Sequence, residues 1–127
     1  MDAIVGIGLD LVELSRVGRS LARWGPRLVD KLMDSDEAGR LPAGDEARVA
    51  AVATAIALKE AASKALSTGW SGGVHWRQVV AAAGPPPGVR LTGRALEVAR
   101  QLGSSGTTSA TVETRGDLLL AEVWLLR

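Results

Sequence analysis

The chain has 127 residues, 46% of them hydrophobic and 23% charged, with a formal net charge of +1. This size and balance predict one folded domain over 1–127, argue against a disordered chain, and leave too little overall positive charge for a global grip on nucleic acid. There is no cysteine and one histidine, His75, which excludes a disulfide framework, a thiol nucleophile and a zinc site built on cysteines or several histidines.

Residues 3–9, AIVGIGL, read as a short strand. Ile4, Gly6 and Gly8 fall on one face, and Val5, Ile7 and Leu9 on the other, which is expected to pack the core. Two glycines on one face point to close approach of another backbone or of a ligand. The opening MDAIVGIGLDLVEL has an early acid and no basic run, so it does not read as a secretory signal. No apolar run approaches the roughly 20 residues that span a bilayer. The expected location is the cytoplasm, with no membrane association. From Leu11 the period turns helical, with Leu11, Leu14, Val17, Leu21, Trp24 and Leu28 in one apolar stripe. Gly25-Pro26 is expected to interrupt that helix, because proline removes an internal hydrogen bond. Residues 30–48 are polar and punctuated by Gly and Pro, which predicts a short helix and a loop.

The longest helical pattern covers 46–68. It is rich in alanine and free of Gly and Pro, and Gly69 stands where a capping glycine belongs. A strand is predicted over 75–82, a turn at GPPPG, a strand over 89–92 and a helix over 94–102 closed by Gly103. Two last strands, 110–114 and 118–126, flank a hairpin turn at Arg115-Gly116-Asp117. The fold class is therefore α+β: a small, mostly antiparallel sheet packed on helices, with one long central helix. The final strand, LLLAEVWLL, is apolar on both faces with Glu122 as its one charge, so both faces call for cover.

Chemistry concentrates in a few side chains. Asp10 follows a strand and precedes a helix, so it reads either as a helix N-cap or as a metal ligand at a strand end. Glu60 lies in register with the apolar stripe Val49, Val52, Ala53, Ile56 and Ala57. A carboxylate there is costly unless it is paired, by Lys64 at i,i+4, or ligates a cation. Asp10 and Glu60 together suit a hard cation such as Mg²⁺, which is commonly held by one or two carboxylates, waters and substrate phosphates. Only three of the fifteen basic side chains are lysines, and two of them, Lys59 and Lys64, share the segment KEAASK and suit those phosphates. Arg16, Arg19, Arg23 and Arg27 form a row without interleaved acids. That row reads as a solvated face or as a dock for an acidic partner helix.

IVGIGLDLVELSRV together with KEAASKALSTGW about fifty residues later resembles the holo-acyl-carrier-protein synthases, the small single-domain 4′-phosphopantetheinyl transferases. The resemblance rests on Gly6, Gly8, Asp10, Arg16, Lys59, Glu60, Ala61, Lys64, Ala65, Thr68 and Gly69, and GPPPGVRLTGRALEVARQLG extends it over nearly the whole chain. It implies a 4′-phosphopantetheinyl transferase-like fold. It also implies transfer of 4′-phosphopantetheine from coenzyme A to a serine of an apo acyl carrier protein, in fatty acid or polyketide metabolism, with release of 3′,5′-ADP. By the same resemblance Asp10 and Glu60 bind Mg²⁺ and act with Lys64 in catalysis. Lys59, Lys64, Ser67 and Gly69 bind the coenzyme, the row Arg16, Arg19, Arg23 and Arg27 docks the carrier protein, and the assembly is a homotrimer. The sequence departs from the family pattern at Ala55 and Ile56, where Arg-Phe is common, at Ser67, where glycine is usual, and at Glu113, where many members have histidine. Those departures keep a second function open: a carrier-protein-binding or assembly protein of the same fold with weak or no transferase activity.

Overall fold

The structure, a computed structural model, describes residues 3–127; Met1 and Asp2, which begin the stretch read above for a secretory signal, lie outside the described residues. Its elements are β1 (Ile4–Glu13), α1 (Leu14–Trp24), α2 (Pro26–Leu32), α3 (Ser35–Gly39), α4 (Asp45–Ala65), a 3₁₀ turn (Trp76–Gln78), β2 (Val79–Ala82), β3 (Gly88–Leu91), α5 (Gly93–Gln101), β4 (Thr108–Arg115) and β5 (Leu118–Leu126). The predicted α+β class is observed. β5 is the middle strand of an antiparallel sheet in the order β1–β5–β4, while β2 and β3 pair as a separate hairpin.

From Val52 to Leu66 the chain of α4 is buried almost all round, and Val52, Ala53, Ala57, Leu58 and Ala61 have no exposed surface. A helix enclosed on all sides needs apolar residues on all sides, which explains why its sequence is uniformly alanine-rich. Alanine keeps the helix thin, so the sheet, α1 and the β2–β3 hairpin all reach it. Burial of these apolar groups, at about 25 cal/mol per Å², is the main force joining the layers.

Two expectations about the N-terminal segment are corrected. The strand runs to Glu13 rather than ending at Leu9, because β5 offers an antiparallel partner all the way to the Glu13–Leu118 pair. Asp10 and Leu11 are therefore strand residues, with Asp10 opposite Ala121, and Asp10 caps no helix. The first turn of α1 is instead satisfied by Asp117 from the β4–β5 turn. Leu14 N donates to the Asp117 carbonyl at 2.8 Å, Ser15 N to Oδ1 at 2.9 Å and Ser15 Oγ to Oδ2 at 2.5 Å.

The second correction concerns the faces of β1. Gly6 and Gly8, not Ile7 and Leu9, turn toward the core. A Cβ on Gly6 would lie 2.1 Å from the Ala65 carbonyl oxygen, and one on Gly8 only 1.7 Å from that of Ala61. The strand thus packs backbone to backbone on α4, and only a face without side chains fits there. Ile7, Leu9 and Leu11 are displaced to the outer face, where each is at least half exposed. Leu118, Leu120 and Trp124 of β5 continue that face, with Glu122 between Leu9 and Thr111. The last strand is covered by α4 through Leu119, Ala121, Val123 and Leu125, and its other side is an apolar surface.

Gly25, at φ 49°, separates α1 from α2 and Pro26 opens the second helix, as the Gly-Pro pair predicts. In the α1 stripe, Val17 is buried and Leu14, Leu21 and Leu28 pack on the core, whereas Trp24 is exposed. At the end of α4 the left-handed residue is Ser67, at φ 64°, and not first Gly69. Gly69 is also left-handed and returns its N–H to the Ser63 carbonyl at 3.1 Å.

Candidate active site

The close approach of β1 to α4 is what builds the site. β1 descends the helix as its residue numbers rise: Gly6 meets Ala65 and Gly8 meets Ala61. Asp10, two residues on and on the same face, is delivered to the helix edge that carries Glu60 and Lys64. Lys64 Nζ lies 2.9 Å from Asp10 Oδ1 and donates to the Leu9 carbonyl at 3.1 Å. The ammonium carries three donors, so one is unengaged among the described residues. Its side chain is 53% exposed and that of Asp10 16%, which leaves the pair at the mouth of a cleft rather than in the core. The i,i+4 pair between Glu60 and Lys64 that the spacing allows does not form; Lys64 turns to Asp10.

Asp10 and Glu60 line one cleft of about 560 Å³, together with Glu13, Arg16, Ser20 and Ile56. Its acidic donors are all carboxylate oxygens, with no sulfur or imidazole, a set that fits a hard divalent cation sharing its coordination shell with waters and phosphate oxygens. No cluster of three or more potential metal-ligating side chains occurs among the described residues, so waters and substrate oxygens would complete the shell of a cation here. Arg16 brings one end of the arginine row into this cleft, and Arg19 and Arg23 continue along α1. Arg27 falls on α2, beyond the break at Gly25-Pro26.

Lys59 is placed elsewhere. It has no exposed surface, and its ammonium is spent inside the protein. Nζ donates to Glu37 Oε1 at 3.0 Å, to the Trp76 carbonyl at 3.1 Å and to the Val79 carbonyl. Glu37 Oε2 in turn accepts from Ala81 N at 3.0 Å. Burial pushes the Lys59 ammonium below the ordinary lysine range, against the opposing pull of Glu37. All three of its donors are taken, so in this arrangement Lys59 ties α3, α4 and β2 together and does not reach the cleft, contrary to the expectation that it contacts a coenzyme. Its neighbours Leu58, Ala61 and Ala62 are buried apolar residues, and that setting was a signal for a buried partner.

Ser67 and Gly69 lie in the turn after α4 and do not line the cleft around Asp10 and Glu60. Glu113 sits on the outer face of β4, opposite Leu120, and is paired with Arg115 at 3.1 Å. Ala55 borders a different groove, between α3, α4 and the GPPPG turn. Glu13 at the cleft, Glu37 beneath Lys59 and Asp117 at α1 were not singled out from sequence. Glu37 and Asp117 act across 22 and 102 residues, beyond the reach of any local pattern.

With this geometry in place, comparison with known proteins is decisive. A family model described as the 4′-phosphopantetheinyl transferase superfamily matches residues 6–116, which include most of β1, all of α4 and every cleft-lining residue except Leu118. The chain belongs to the 4′-phosphopantetheinyl transferase superfamily. Among its relatives, the holo-[acyl-carrier-protein] synthase of Desulfovibrio desulfuricans is 44% identical over 102 residues, covering 79% of this chain and 80% of that protein. Among solved structures, the holo-[acyl-carrier-protein] synthase of Neisseria meningitidis superposes with a TM-score of 0.80 at 28% identity, over 97% of this chain and 98% of that one. The Helicobacter pylori synthase, solved in complex with coenzyme A, shares the fold at a TM-score of 0.76 and 20% identity, over 95% of this chain and 99% of that one.

Proposed function

We propose that this transferase moves 4′-phosphopantetheine from coenzyme A to a serine hydroxyl of an apo acyl carrier protein, with Mg²⁺, releasing 3′,5′-ADP. The observation that carries the reading is Asp10, Glu60 and Arg16 around one cleft with Lys64 held 2.9 Å from Asp10 at its edge. The names of the relatives and the coenzyme A complex of the Helicobacter pylori protein support the same substrates.

In the transfer, the serine hydroxyl gives up its proton to solvent as its oxygen forms a bond to the phosphorus that carries pantetheine. The bond from that phosphorus to the bridging diphosphate oxygen breaks, and 3′,5′-ADP leaves with the bond's electron pair. Asp10 and Glu60 are the residues that would hold Mg²⁺. When bound, the ion supplies charge neutralisation at diphosphate oxygens. Lys64, anchored by the Leu9 carbonyl and Asp10, sets a cation beside the phosphate of the departing 3′,5′-ADP without reorganising during the reaction. Arg16, which lines the same cleft as Asp10 and Glu60, adds a second cation. Lys59 contributes indirectly: it locks the helix on which Glu60 and Lys64 stand. Ser67 and Gly69 shape the turn beyond that helix, within reach of a long coenzyme but away from the reacting phosphorus.

The row Arg16, Arg19, Arg23 and Arg27 receives the acidic helix of the carrier protein, with the serine directed into the cleft next to Arg16. The exposed outer face of Ile7, Leu9, Leu11, Leu118, Leu120 and Trp124 supports a homotrimer, because an apolar sheet face of this extent favours burial against other copies. Among the described residues, no helix is long and apolar enough to cross a membrane.

The deciding experiment is mass spectrometry of an apo acyl carrier protein after incubation with this chain, coenzyme A and Mg²⁺. The expected result is a gain of the phosphopantetheine mass, abolished by Asp10→Asn or Glu60→Gln in variants that keep the parent's circular dichroism. Binding of the carrier protein without any mass gain would establish the non-catalytic reading instead.

A further inference from the structure

The four arginines of the row have no acidic partner within ion-pair distance among the described residues; the ion pairs present involve Lys59, Lys64, Arg77, Arg94 and Arg115. Next to Arg23 stands Trp24, the last residue of α1, 46% exposed. An isolated exposed apolar side chain is ordinary. This one is not isolated, because two guanidinium groups lie over its ring, that of Arg23 at 4.8 Å from the ring centroid and that of Arg27 at 5.9 Å. The break at Gly25-Pro26 makes the second contact: α2 restarts in a new direction and still returns Arg27 to the indole of the preceding helix.

Stacking has two consequences. It holds the indole and both guanidinium groups in place, so less side-chain freedom is lost when a partner binds. It also leaves the guanidinium edges, which carry the N–H donors, free for carboxylates. The outcome is an apolar patch with cationic sides. Its complement is an aliphatic side chain flanked by acids on one face of a helix. Trp and Arg are both enriched among the few residues that dominate binding energy at protein interfaces.

The position supplies a ruler. Trp24 follows Arg16 by eight residues, about 12 Å along α1 at ~1.5 Å per residue. Arg16 lines the cleft. A partner helix lying along α1 with its serine in the cleft therefore presents a residue about two turns away, ~11 Å, beside the indole.

We propose that Trp24, held by Arg23 and Arg27, is the apolar anchor of the docking face, packing on an aliphatic side chain between acids of the carrier-protein helix about two turns from the serine. This rests on the docking reading above, and it adds a salt-independent contact that sets the helix register.

The test is the fluorescence anisotropy of a fluorescein-labelled apo acyl carrier protein titrated with the full chain at low and high salt. Trp24→Ala is expected to raise Kd by at least about tenfold at both salt concentrations, and Trp24→Phe to recover most of the loss. Arg23→Glu is expected to weaken binding strongly at low salt and far less at high salt, because exposed charges are screened. A Trp24→Ala Kd within twofold of the parent overturns the anchor while leaving docking by arginine intact. So does a loss that disappears at high salt, since the indole would then act only by holding the guanidinium groups. Unchanged binding in the Arg19→Glu, Arg23→Glu double variant overturns the docking reading itself, and the anchor with it.

Discussion

Replacing Gly8 by alanine adds one methyl group at the tightest point between β1 and α4. The new Cβ would stand 1.7 Å from the Ala61 carbonyl oxygen, 2.7 Å from its carbon and 2.8 Å from Ala65 N. All three atoms belong to the backbone of a helix buried almost all round at this level, so there is no side chain to swing away. The strand must retreat instead, by about 1.3 Å before that oxygen contact reaches 3.0 Å. A gap of 0.5–1 Å already forfeits roughly a quarter to a half of a dispersion contact, and overpacking by itself costs about 1–3 kcal/mol. The expected loss is therefore at or above the top of that range, about 3 kcal/mol or more. Activity should fall further than stability does, because Asp10 moves with the strand and leaves Lys64. The control is the same change at Gly18 in α1, where a Cβ meets only Val49 side-chain atoms at 3.8 Å. There alanine should stabilise the protein by up to about 1 kcal/mol through helix propensity. Urea denaturation of the two variants measures both terms. If Gly8→Ala unfolds at the parent's midpoint, the backbone contact between β1 and α4 is wrong, and so is the account of how Asp10 reaches the site.

Removing one member of the buried Lys59–Glu37 pair, by Lys59→Met or Glu37→Gln, should cost about 3–5 kcal/mol, because the survivor is left uncompensated. The Lys59→Met, Glu37→Leu double variant should cost less than the sum of its single changes, and additive losses in denaturation would exclude the pairing. Hydrogen bonds from the Ser15 side chain and backbone hold the Asp117 carboxyl below its ordinary value of 3.8. A lowered folded value means that the cap contributes in full above that ordinary value and is lost as pH falls below it; Asp117→Ala should flatten this acid limb of a stability-against-pH curve. Light scattering should give the parent a mass of three chains and Leu120→Glu, on the outer sheet face, the mass of one 13.2 kDa chain. A parent already at the single-chain mass at micromolar concentration would refute the trimer.

The candidate chemistry was visible in the sequence because it depends on residue type and local setting. A carboxylate after a glycine-bearing apolar run, a carboxylate on an apolar helical stripe and Lys64 one turn beyond it are anomalies that ask for charged partners. The α+β class, the long alanine-rich helix and the break at Gly25-Pro26 were legible for the same reason: periodicity and backbone chemistry are local. Tertiary structure decided the rest. Alternation in β1 offered two faces and favoured burying Ile7 and Leu9; only the proximity of the Ala61 and Ala65 carbonyls made the glycine face the inner one. The same four-residue spacing that would have paired Glu60 with Lys64 gave way to Asp10, which the strand carried to within 2.9 Å. Lys59 and Lys64 look alike in KEAASK, yet five residues of helix rotate them through about 500°, a little over a third of a turn beyond one full revolution. One ammonium is thereby sealed against Glu37 and the other is left at the cleft. Which side chain meets which partner depends on contacts across tens of residues, and a linear pattern carries no record of them.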